Sequence, residues 1–155
     1  MTFRFIKSPE KKEIVKELEK YYGISELPYL LMETGKEKIR VFSGSFSKEE
    51  IVQLNQITKI EVVGLYFISQ KDSEPRLSFD AVSLSRKKIT KNIFEMNEEQ
   101  FNLWIRGHDL DVKTQRGVVV VKYKDDLICV GKSNGEKIFN YVPKERKLKT
   151  QLPKR

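Results

Sequence analysis

The sequence predicts an α+β protein in two parts: a small N-terminal α/β half over residues 1–88 and a C-terminal β-barrel or half-barrel over residues 89–155. Three observations lead there. A capped amphipathic helix near the N-terminus is followed by short β-branched runs. Later, one aromatic-faced helix is followed by three strand-like runs with hairpin-length breaks. Between them lies "SRKKITKN", polar and basic, which reads as the boundary of the two halves.

In chain order, "SPEKKEIVKELEKYYG" is the clearest helix. Ser8 supplies a cap, and Pro9 fits the first helical position, where no N–H is needed. Ile14, Leu18 and Tyr21 or Tyr22 recur at helical spacing, and Gly23 ends the run. "YLLME" and "KIRVFSG" read as strands around the turn "TGKE". Ser47 with Glu50 three residues on is a capping-box signature that opens a short helix. "IEVVGLYFISQ" is β-branched and aromatic, hence a strand, with Gly64 marking a bulge or a close backbone approach. In "RLSFDAVSLS", Leu77, Phe79, Ala81 and Leu84 alternate with polar residues, the pattern of a half-buried antiparallel strand.

The second half opens with Asn97 and, three positions on, Gln100. Phe101, Trp104 and Ile105 then share one helical face, and Gly107 follows. "GVVVVKY", "LICVGKS" and "KIFNYV" are the three strands of a meander, with Asn134-Gly135 as the strongest turn signal.

Charge is unevenly placed. Of the formal net charge of +8, the last fifteen residues supply +5, from six basic residues against Glu145. Such a concentration is the footprint of a polyanion partner, because each neutralised phosphate releases a counterion. A solvated basic tail is the competing reading.

The chemistry of catalysis is thin. There is no glycine-rich phosphate loop, no G-x-S-x-G and no H-E-x-x-H. One cysteine, Cys129, and one histidine, His108, cannot build a metal site, and the expectation is no metal, no cofactor and no enzyme. Cys129 lies in the apolar run "LICVG", as a small buried hydrophobe would. Asp109 with Asp111 and Asp125 with Asp126 read as solvated turn carboxylates. No apolar run reaches the roughly 20 residues of a membrane span, and "MTFRFIKSPEKK" lacks a secretory h-region. A cytoplasmic protein without membrane contact is expected. Recognition remains: Arg106 and Gly107 at a helix end offer a guanidinium and a backbone turn to phosphate. Lys122, Lys132 and Lys137 lie on or beside the meander, with the face they share left open.

The stretch "GVVVVKYKDDLICVGKSNGEKIFNYVPKERKLK" resembles the PUA-like RNA-binding domain of Sun/Nop-type rRNA cytosine methyltransferases. The matches are Gly117 with its valines, Gly131 with Lys132, and Asn140, Tyr141, Pro143, Lys144 and Glu145. "EEQFNLWIRGHDL" resembles the family's preceding helix through Trp104, Arg106 and Gly107. Where relatives more often carry a second glycine, this chain has Ile128-Cys129, and it has no counterpart of their catalytic domain. The whole chain is similar in pattern to the Nip family of pre-rRNA processing proteins, which pair an α/β domain with a PUA domain.

The resemblance implies a stand-alone PUA-like protein that binds rRNA, pre-rRNA or tRNA in ribosome biogenesis. The basic positions after the barrel would be Lys144, Arg146, Lys147 and Lys149, with Lys132, Lys137, Arg106, Gly107 and Tyr141 beside them. Tyr141 either stacks on a base or packs inside. A second reading is a protein adaptor whose N-terminal half docks a partner such as an RNA-modifying enzyme. Tyr21, Tyr22, Tyr29 and Phe46 would then form a patch, unless they are core.

Overall fold

The computed structural model describes residues 3–35, 37–43, 47–57, 64–71 and 73–142. In the first half, β1 (Phe3–Phe5), β2 (Leu30–Thr34), β3 (Lys38–Phe42), β4 (Leu65–Ser69) and β5 (Arg76–Leu77) form an antiparallel sheet in chain order. Helix α1 (Ser8–Tyr22) buries Ile14, Leu18 and Tyr22 and ends at Gly23. Its cap differs from the expectation. Lys7, extended and without a side-chain bond, holds the N-cap position, so Ser8 is already helical and Pro9 sits in the first turn. Tyr22 is fully buried and Tyr21 and Tyr29 pack half-buried against the core, which makes these tyrosines core rather than patch. Phe46 lies outside the described residues.

Helix α2 (Lys48–Ile57) opens with the expected box: Ser47 N–H donates to Glu50 Oε1 at 3.1 Å and Glu50 N–H to Ser47 Oγ at 3.2 Å. The strand expected from residue 60 is described from Leu65 onward. Gly64 is a close approach, since a Cβ there would lie 2.4 Å from the Val41 carbonyl oxygen.

The expected strand at "RLSFDAVSLS" is corrected. Only Arg76–Leu77 is extended, and Phe79–Leu84 forms helix α3. The reason is Ser78, whose Oγ accepts from Ala81 N–H at 3.0 Å and donates to the Tyr66 carbonyl at 2.6 Å. That local cap outweighs a two-residue alternation. Leu84, expected inside, is 49% exposed.

The second half is a four-stranded half-barrel in the order β6 (Ile93–Met96), β7 (Gly117–Tyr123), β8 (Asp126–Ser133), β9 (Ile138–Phe139). Strand β6 was not foreseen. It runs parallel to β7, and α4 (Glu98–Ile105) lies on the crossover between them, as a parallel pair requires. The Asn97–Gln100 capping box forms in both directions, at 2.8 and 2.9 Å.

Strand β7 is buried on both faces, and this decides the architecture. Val118 and Val120, with Val130 of β8, join the core made by α1 and the first sheet. Val119 and Val121, with Cys129 and Ile138, join a second core around Trp104, Met96 and Leu110. The half-barrel is therefore a wall shared by two cores, and the first core continues past residue 88. Burying each valine contributes about 1.5–3 kcal/mol. Polar ties reinforce the seam: the Glu74 carboxylate accepts from Val118 N–H at 2.7 Å, and Asn92 Nδ2 donates to the Tyr21 carbonyl at 2.6 Å.

Within the second core, Cys129 behaves as the sequence suggests. It is buried, and Trp104 Nε1–H donates to its sulfur at 3.1 Å. Burial pushes the thiol up to about 12, against the opposing pull of the Trp104 hydrogen bond. Gly131 makes room for the same indole: a Cβ there would stand 2.7 Å from Trp104 Cη2 and 2.8 Å from the Phe139 carbonyl oxygen.

Candidate nucleic-acid interface

The segment after β9 is held by one side chain. Asn140 Nδ2 donates to the Trp104 carbonyl at 2.8 Å and to the His108 carbonyl at 2.9 Å. Its Oδ1 accepts from Val142 N–H at 2.8 Å, while its own backbone N–H donates to Asp109 Oδ1 at 2.8 Å. Carbonyls at a helix C-terminus need outside partners, and here Asn140 supplies one donor to each of these two. The end of the described chain is thereby fastened to the end of α4.

The turn on the other side of that clamp is self-contained. Gly107, with φ of 93°, donates to the Trp104 carbonyl at 2.9 Å, and His108 N–H to that of Leu103 at 3.0 Å. This paired closure is the left-handed glycine stop of a helix. Arg106 folds back on its own helix, with Nη1 donating to the Asn102 carbonyl at 3.3 Å. The Gly107 N–H is thus already engaged, and Arg106 is half-buried beside it.

The clamp leaves Tyr141 40% exposed rather than packed, with the Arg76 guanidinium carbon 4.2 Å above the centre of its ring. A cation over an aromatic face is attracted by the ring quadrupole, which ties Tyr141 to the first half. Phe139, 37% exposed, lies opposite Lys132 across the β8–β9 ladder, so the two side chains share one sheet face. Each of the two pairs, Arg76 with Tyr141 and Lys132 with Phe139, sets a cation beside a partly exposed aromatic ring. Electrostatic contact combined with stacking is what single-stranded and loop RNA requires.

Other expected positions are placed differently. Lys137, immediately before β9, reaches Asp111 Oδ1 at 3.5 Å, an exposed pair worth little. Lys122 is on the Lys132 face of the sheet but at the far end, opposite Leu127 and Glu95. Lys144, Arg146, Lys147 and Lys149 lie outside the described residues. Two site residues escaped the sequence reading. Phe139 carried a signal, since the alternation of Ile138 inward and Phe139 outward follows from strand period. Arg76 carried none, because only the tertiary fold brings it to Tyr141.

Residues 91–148 match the family model of the Methyltransferase RsmF PUA domain. Over those residues the chain carries a PUA-like domain. It resembles the corresponding domain of Sun-type rRNA methyltransferases, and such a domain suggests RNA binding. No curated protein matches the chain. Within the PUA-like domain, Gly131, Trp104 and Asn140 have structural work: room for the indole, the centre of the core, and the clamp on the closing segment. Among the described residues of the closing motif, Asn140 and Tyr141, it is Tyr141 that is exposed.

Proposed function

We propose that this chain binds structured RNA, rRNA or its precursors first, through the face formed by Arg76, Lys132, Phe139 and Tyr141 and the basic residues that follow. The match of residues 91–148 to the RsmF PUA domain carries the reading. The mechanism has two parts. Lys132 and the cations Lys144, Arg146, Lys147 and Lys149 meet phosphates, and the open rings stack on unpaired bases. On this reading the chain is a non-catalytic cytoplasmic factor in rRNA processing, modification or ribosome assembly. Its resemblance in pattern to the Nip family supports that setting. The test is binding of rRNA fragments and tRNA across a salt series. About four neutralised phosphates give a slope of log K against log salt near −3 to −4. Changing Lys144, Arg146, Lys147 and Lys149 to Ala should flatten that slope, and equal binding by both proteins would refute it.

A second reading, docking of a protein partner through the N-terminal half, is compatible with the first. Its support is α2, where Val52 and Leu54 are 41% and 40% exposed beside the buried Ile51.

A further inference from the structure

We infer that the chain carries a second RNA-backbone surface, formed by the cations of residues 85–92, at the edge of the half-barrel opposite the closing segment. The inference rests on the RNA-binding reading above and extends it to a region outside the Tyr141 face. From residue 81 to residue 94 the chain holds Arg86, Lys87, Lys88 and Lys91 and no acid. The stretch that looked like a boundary in the sequence is firmly seated. Ile89 is buried in the main core, and the N–H groups of Thr90 and Lys91 donate to the Tyr22 carbonyl at 2.8 and 3.3 Å. The Asn92 carbonyl accepts from Val120 N–H at 2.7 Å. Cations on a seated loop lose less conformational freedom on binding than cations on a free one.

Part of the charge serves the fold. Lys91 Nζ donates to the Glu19 carbonyl at 3.1 Å, at the C-terminal end of α1, where a cation is favoured. Lys88 pairs with Glu26 at 3.7 Å, an exposed and weak contact. Arg86 and Lys87 do neither. Both are exposed and make no ion pair among the described residues, so the fold does not account for them. Lys20, in the last turn of α1 next to Glu19, adds a further positive charge. Acids also lie on the adjoining segments: Glu19 on α1, Glu26 in the loop after it, Asp80 on α3 and Glu95 on β6.

The position gives the patch its use. Residues 85–92 lead into β6, and the sheet order places β6 and β9 at opposite edges of the half-barrel. Three strand spacings of about 4.8 Å put those edges roughly 14 Å apart. An RNA lying along the domain would meet cations at both edges. Leu84 and Ile93, 49% and 39% exposed, flank the patch. Two isolated aliphatics make a poor insertion face, so phosphates of RNA fit better than an anionic bilayer.

The test uses the full chain with Arg86→Gln and Lys87→Gln together, beside Arg86→Lys with Lys87→Arg, against a structured rRNA fragment over a salt series. The neutral pair should lower the salt slope by about 1.4 to 1.8 and the affinity at moderate salt roughly tenfold. The charge-keeping pair should retain both values, and the melting temperature should be unchanged in each. A neutral pair that binds as the unchanged chain does would overturn this inference and leave the proposed function standing. An unchanged chain that binds no RNA would overturn both. Flotation with phosphatidylserine vesicles that depends on Arg86 and Lys87, without an RNA effect, would assign the patch to a membrane surface instead.

Discussion

Asn140 makes three hydrogen bonds through its side chain, two of them to carbonyls at the end of α4. Replacing it by Ala takes this donor from the His108 carbonyl and leaves the Trp104 carbonyl with the Gly107 N–H. We expect a loss of about 2–4 kcal/mol in urea unfolding. Asn140→Asp, which removes both donors and sets a carboxylate against two carbonyls, should do no better; a near-neutral effect of either change would contradict the clamp. Cys129 gives a second residue-scale prediction. Its thiol is raised from 9.0 to about 12, so the folded state holds the proton more tightly than the unfolded chain. The linked stability is complete below pH 9 and is lost as pH rises from about 9 toward 12. Tyr22 is shifted upward too, chiefly by burial, and adds to the loss at the alkaline end. Equilibrium unfolding across that range should show the decline, and Cys129→Ala should reduce it. The residue scale was well read from sequence for Cys129 and Trp104, where an apolar run and helical spacing both imply burial. It was read less well for Tyr141, whose exposure depends on the Asn140 clamp and on Arg76 from the other half.

At the scale of elements, α3 depends on Ser78. Ser78→Ala removes the cap and the bond to the Tyr66 carbonyl, and should cost about 1–2 kcal/mol with some loss of helical circular dichroism. An unchanged melting temperature would mean that packing of Ala81 and Val82 alone holds the helix. The same residue explains why the element was misread. Leu77, Phe79 and Ala81 satisfy a strand alternation, and only the hydroxyl in the N-cap position separates the two readings. Both capping boxes were legible because Ser47–Glu50 and Asn97–Gln100 bond within three residues. Strand β6 was not. Its partner β7 begins twenty-one residues after β6 ends, and a four-residue run with a glutamate in it carries little periodic signal.

For the whole molecule, the two-sided burial of β7 couples the halves. Val118 and Val120 face the first core while Val119 and Val121 face the second, so neither core is complete without that strand. Unfolding should therefore be one cooperative transition, with Trp104 fluorescence and far-ultraviolet circular dichroism giving coincident curves in urea. Separate midpoints would show two independently stable units. The four valines in a row read only as one strand of a meander, although an unbroken apolar run is also the pattern of a strand buried on both sides. What covers each side could not be read, since it depends on tertiary placement of α1 and α4. The charge map has the same character. Lysines and arginines are visible in sequence, but their use as helix partners, surface pairs or free cations emerges only when the carbonyls and acids around them are placed.

In the proposed function, the exposed rings of Phe139 and Tyr141 at the end of the half-barrel contact RNA. The most direct measurement is affinity for a structured rRNA fragment at fixed salt, comparing the unchanged chain with Phe139→Ala and Tyr141→Ala. Melting temperatures serve as the check on folding, since neither ring belongs to either core. Each substitution should weaken binding by about 1–3 kcal/mol, roughly five- to 150-fold, while leaving the salt slope in place. Unchanged affinity in both variants would contradict the account and move the RNA site away from this face.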